Sequence, residues 1–205
     1  MPHSSETSAP ALAHSGATPE YSPEERQELL ECAREAIVSK LENRVPLAVN
    51  ATPHLSEPRG AFTTLYIHGK LRGCVGYPAA VLPLYRTIFE TARAAAFEDP
   101  RFIPLILGEA ADLRVAISVL SPVAPIRPED VEIGRHGLII SLGSYRGLLL
   151  PQVPVEHGWD RVTFLEQTCH KAGLPPNAWR TGALVEAFAA EVFGDPDLRD
   201  WVVCR

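Results

Sequence analysis

The chain has 205 residues, enough for one domain or two small lobes and too few for a multi-domain machine. Hydrophobic residues make up 46% and charged residues 21%, an ordinary globular balance that excludes wholesale disorder. Nineteen Lys and Arg against 25 Asp and Glu give a net charge of −6, which disfavours a dedicated nucleic-acid binder, and no apolar run approaches the roughly 18 residues of a membrane span.

Residues 1–19 are rich in Ser, Ala and Pro without apolar periodicity, and are expected to be a disordered tail ahead of one domain over residues 20–205. No basic-then-apolar stretch follows Met1, so a cytoplasmic protein is expected. Ser22-Pro23-Glu24-Glu25 opens the first element: Ser22 is a helix cap, Pro23 suits the first helical position, and Glu25 completes a capping box. Leu29, Leu30, Ala33, Ile37 and Leu41 recur at helical spacing, predicting an amphipathic helix to about Asn43. Residues 60–67 read as a strand, His68-Gly69-Lys70 as a turn, and residues 71–76 as the returning strand. Residues 83–97 read as a helix that stops ahead of Asp99-Pro100. Leu113, Val115, Ile117 and Val119 alternate as in a half-buried strand. Residues 138–142 and 148–150 flank a five-residue turn and read as a hairpin. Thr163 to Glu166 reads as a second capping box, opening a helix that Gly173 ends. Residues 184–193 alternate as a single last strand. Strands arrive as hairpins and runs, so the fold class is α+β with mainly antiparallel sheet.

The four cysteines, at 32, 74, 169 and 204, form no C-x-x-C pair. A chain of this length needs no staples, so reduced thiols are expected, with no metal site and no cofactor. Phosphate-loop, dinucleotide, zinc-protease and serine-hydrolase signatures are missing. What remains is Leu71-Arg72-Gly73-Cys74-Val75-Gly76. Strand alternation puts Arg72 and Cys74 on one face and Leu71, Gly73 and Val75 on the other. The glycines permit close approach of another backbone or a ligand, and a neighbouring cation favours the thiolate. The plainer alternative is a buried small hydrophobe beside a surface arginine.

This segment resembles the L-R-G-C-I-G signature of the AMMECR domain family, departing only at Val75. Asp99-Pro100-Arg101-Phe102, Gly134-Arg135-His136-Gly137-Leu138 and the stretch from Gly147 to Val153 resemble the family as well, and the likeness runs over about residues 21–195. Prokaryotic members are labelled AmmeMemoRadiSam system protein A and stand beside a Memo-like protein and a radical SAM protein. The resemblance implies two lobes, each a mainly antiparallel sheet with helices. The larger would hold both chain ends, the smaller would be inserted, and the signature would face the cleft between them. It implies no established reaction.

Two function classes follow. One is a cysteine-dependent enzyme with Cys74 as nucleophile, His136 as its base and Arg72 stabilising the thiolate, working with the Memo-like and radical SAM partners. The other is a non-catalytic module that binds a protein segment, or another large ligand, in the cleft. Leu71, Gly73, Val75, Gly76, Arg101 and Gln152 are the candidate binding residues, and neither nucleic acid nor membrane is expected as a partner. Cys74 is expected to be the most reactive thiol, with Cys204 its rival.

Overall fold

A computed structural model describes residues 19–48, 51–196 and 198. Helix α1 (Pro23–Leu41) begins at its predicted signal. The Ser22 side chain accepts the Glu25 N–H and the Glu25 carboxylate accepts the Ser22 N–H, so two otherwise orphaned donors are satisfied. Strands β1 (Ala61–Ile67) and β2 (Lys70–Tyr77) form the predicted hairpin, turning at His68 and Gly69, both with positive φ. Helix α2 (Leu84–Phe97) follows, then β3 (Leu113–Leu120).

From β3 the chain crosses to a second sheet made of β4 (Ala124–Pro125), β5 (Gly137–Leu142), β6 (Tyr145–Leu149) and β7 (Leu184–Phe188). Helices α3 (Gln152–Glu156) and α4 (Arg161–Lys171) lie between β6 and β7. The chain then returns as β8 (Ala190–Gly194) to the first sheet. The strand orders are β2-β1-β3-β8 and β4-β7-β5-β6, and every pair is antiparallel. The fold is thus α+β, with two four-stranded antiparallel sheets and four α-helices among the described residues.

Three apolar clusters follow from the strand alternation. Ala61, Leu65, Val115 and Ile117 pack beneath Leu29, Ile37, Ile88 and Ala92 of α1 and α2. Leu138, Ile140 and Val185 pack against Phe164, Leu165 and Cys169 of α4. Leu120 with Phe62 from the first sheet meets Ile139 and Phe188 from the second and Leu150 just after β6, and this smaller cluster joins the two sheets.

Three element boundaries differ from the sequence reading. The residues read as one strand over 184–193 are two strands, broken at Ala189. There Ser121 captures both main-chain groups: its N–H donates to the Ala189 carbonyl and its Oγ accepts the Ala189 N–H, each at 2.9 Å. Helix α4 starts at Arg161, not Thr163, because the Asp160 carboxylate caps the Thr163 N–H at 2.8 Å. The β5–β6 turn holds only Gly143 and Ser144, since Tyr145 and Arg146 pair with Leu142 and Ser141, and Gly143 supplies the positive φ of 59° that a tight turn requires. Among the described residues no helix is long and apolar enough to cross a membrane.

Candidate functional site

Strand β2 is an edge strand, and its outer side presents main-chain groups that need partners. The turn after α2 supplies them. Phe102 N–H bonds the Asp99 carbonyl at 3.1 Å, with Pro100 fixing the turn between them. This aims the Asp99 carboxylate at the strand, where Oδ2 accepts the Cys74 N–H at 2.9 Å. Arg101 completes the clamp: Nη2 donates to Asp99 Oδ2 at 2.8 Å and to the Cys74 carbonyl at 3.2 Å, and Nε donates to Asp99 Oδ1 at 3.0 Å. The peptide groups flanking Cys74 are therefore held as a neighbouring strand would hold them. With the Arg101 guanidinium beside it, and then the main-chain N–H groups, the buried Asp99 carboxyl is held down to about 2.

Because the Cys74 main chain bonds outward, its pairing with Thr64 on β1 is of the non-hydrogen-bonded type, which brings the side chains close. Cys74 Sγ lies 3.3 Å from Thr64 Oγ1 and the residue is 7% exposed. Cys74 is disulfide-bonded, which departs from the expectation of reduced thiols, while Cys32 and Cys169 are buried and free. Burial pushes the Cys32 thiol up to about 12 and raises that of Cys169 as well. Cys204 lies outside the described residues.

Arg72 sits differently from its predicted place. A bulge leaves it without an opposite residue: Gly73 faces Leu65 while Leu71 faces Tyr66. Leu71 consequently moves to the face of Thr64 and Cys74, and simple alternation fails. The Arg72 side chain, 12% exposed, forks onto Glu109 at 2.8 and 3.0 Å and donates to the Ile103 carbonyl at 2.8 Å. Its hydrogen bonds, more than its charge, hold the Glu109 carboxyl below its usual range. Glu109 also accepts the Ile106 N–H at 3.0 Å, so Arg72 and Glu109 together pin the loop after α2. That loop buries Leu105 and leaves Ile103, Ile106 and Leu107 exposed.

The glycines of the signature are places of contact. A Cβ on Gly73 would stand 2.1 Å from the Ala95 carbonyl oxygen of α2, and one on Gly76 would stand 2.0 Å from the Phe62 ring. Val75 packs against the core beneath α1 and α2.

His136 is on the second sheet's side of the molecule, just ahead of β5. Its Nδ1 accepts the Glu132 N–H at 3.1 Å, and no hydrogen bond or ion pair joins it to Cys74. Burial lowers its pKa. Gln152 opens α3, far along the chain from the clamp. Cys74, Asp99 and Arg101 thus come together, Arg72 turns to Glu109, and His136 and Gln152 belong elsewhere. Sequence reasoning missed Glu109 and Thr64; their partners are remote in sequence, so no local spacing signals them.

Between the two sheets lies a cavity of about 520 Å³ walled by residues 58–60, 78–80 and 120–123, with Arg146 from β6. The signature leads directly into it through Tyr77 and Pro78 but does not itself line it. Among the described residues, Arg59 and Arg146 are the charged ones in the lining. No cluster of three or more metal-ligating side chains occurs among the described residues.

Two antiparallel sheets joined by two crossings, with a signature strand clamped at its edge, define a class by architecture rather than by a reaction. The family model for AMMECR1 matches residues 30–193, and the chain belongs to this family. It is 44% identical over 179 residues to a protein of Thermococcus gammatolerans, covering 80% of this chain and 87% of the relative. It is 41% identical over 186 residues to protein MK0488 of Methanopyrus kandleri, covering 85% and 90%. The crystal structure of the uncharacterized protein PH0010 from Pyrococcus horikoshii is similar at a TM-score of 0.72 and 41% identity, over 82% of this chain and 90% of that one.

Proposed function

We propose that this chain is a non-catalytic protein-interaction module that holds an extended segment of a partner in the cavity between its two sheets. The observation that carries this reading is the use to which the signature is put. The main chain of Cys74 is clamped by Asp99 and Arg101, its sulfur is covered, and Arg72 is spent on Glu109. His136, the histidine expected to act as base, bonds within its own turn. A signature arranged in this way builds a rigid edge and does not prepare a nucleophile. The cavity beside it offers prolines, small apolar side chains and arginines, a lining suited to extended peptide.

The partners to test first are the Memo-like and radical SAM proteins that the resemblance implies. Titration calorimetry with each should give the same affinity for Cys74→Ser as for the native chain, and at least a tenfold loss for Ala80→Trp, which fills the cavity. Retained binding by Ala80→Trp would sink the cavity reading. Retained binding by Cys74→Ser together with lost turnover in a reconstituted mixture would favour the cysteine-dependent enzyme instead.

A further inference from the structure

Strand β6 is an edge of the second sheet and, among the described residues, pairs with β5 alone. The two-residue turn makes Leu142 and Tyr145 a hydrogen-bonded pair, so Gly147 is the next residue to bond β5, and the main chains of Arg146 and Leu148 point outward. No group among the described residues bonds either one. Edges elsewhere are treated differently: β2 carries the Asp99 and Arg101 clamp and a bulge, and β4 is two residues long and contains Pro125. Strand β6 runs five residues with neither a proline nor a break in register. Arg146 also belongs to the cavity wall, so this open edge adjoins the cavity. The charges there are already met: Arg146 faces Glu186 at 4.0 Å, and Arg59 is held by Glu20 and Glu57 at 2.9 and 3.0 Å. What stays open is main chain, two N–H donors and two carbonyl acceptors that recur at about 7 Å, the two-residue spacing of a strand. An extended polypeptide is the ligand that matches this repeat.

We propose that the partner segment is a β-strand that pairs antiparallel with β6 and adds a fifth strand to the second sheet. This rests on the cavity being a binding site. Pairing opposite Arg146 and Leu148 gives four main-chain hydrogen bonds. The segment therefore needs free N–H groups two residues apart and is recognised with little demand on its side chains. A proline-rich helix lacks those donors and does not fit.

The test is amide NMR of the full chain titrated with a synthetic strand-forming peptide, acetyl-Thr-Val-Thr-Val-Thr-Val-amide, and with the same peptide N-methylated at every residue. The first should give saturable shifts at the Arg146 and Leu148 amides. At about ten times its Kd it should slow their exchange about tenfold and leave Ser144 in the β5–β6 turn unchanged. The methylated peptide should do neither. Arg146→Pro should abolish the shift at Leu148 while Ile140 of β5 stays as protected as in the native chain, because the N–H it removes bonds nothing in the sheet. Absent shifts at Arg146 and Leu148 with the first peptide, equal shifts with both peptides, or a retained Leu148 shift in folded Arg146→Pro would each overturn the inference. If Ala80→Trp still abolishes partner binding in that case, the cavity reading stands and strand pairing alone falls; if Ala80→Trp binds normally, both fall.

Discussion

At Asp99 one carboxylate accepts hydrogen bonds from the main chain of Cys74 and Arg101 and from the Arg101 guanidinium, all with its side chain only 3% exposed. Its pKa falls from 3.8 to about 2 on folding, a difference worth roughly 2 kcal/mol of stability. Since the folded value is the lower one, this contribution is complete above the unfolded pKa and is lost as pH drops through 4 toward 2. Urea unfolding of Asp99→Asn should therefore show a loss of about 2 kcal/mol at pH 7, shrinking toward pH 2; a pH-independent difference would remove the charge from the argument. Gly73 makes a second demand of this kind. A Cβ 2.1 Å from the Ala95 carbonyl has nowhere to go without moving α2, so Gly73→Ala should cost at least about 2 kcal/mol by the same assay. A neutral substitution would mean that the helix and strand are not in contact. The residues of both motifs were legible in the sequence, but their tasks were not. Asp99 and Arg101 meet Cys74 across 25 and 27 residues of chain, a pairing that strand alternation cannot announce.

Strand β2 illustrates where periodicity stops being sufficient. Its start was readable from the turn at His68 to Lys70, yet a bulge at Arg72 reverses the side expected for Leu71. The same bulge frees Arg72 to reach Glu109 and thereby to fix the loop that follows α2. A double-mutant cycle of Arg72→Ala and Glu109→Ala should give a coupling of about 1 kcal/mol, because the fork is bidentate and both side chains are mostly buried. Either single variant should also speed amide exchange at Ile106, whose N–H Glu109 accepts. Zero coupling with unchanged exchange would show that the loop is held by Leu105 alone. Helix α1 was legible because its cap, proline and apolar face agree, whereas α3 was not, since Pro154 within a five-residue helix reads as a breaker.

Across the whole molecule, the two crossings between sheets are tied to each other at Ser121 and Ala189 and backed by the small cluster around Leu120 and Phe188. Ser121→Ala removes the acceptor of the Ala189 N–H and should cost about 1 kcal/mol, read as a shifted urea midpoint. The alternation over residues 184–193 could not reveal the passage between sheets, because both strands are half-buried and the break lies in one alanine. The cavity was likewise invisible: its walls come from four separated segments with no shared pattern. We propose that the signature strand builds an edge and does not arm a nucleophile. This claim is tested most directly by alkylating the reduced, folded protein as a function of pH and quantifying each cysteine by mass spectrometry. Once its disulfide is reduced, Cys74, which is 7% exposed in the bonded state with its sulfur beside Thr64 Oγ1, should react at least tenfold more slowly than an exposed thiol at every pH, and should catch up only in denaturant. Rapid, selective alkylation of Cys74 below pH 8 in the folded chain would contradict the claim.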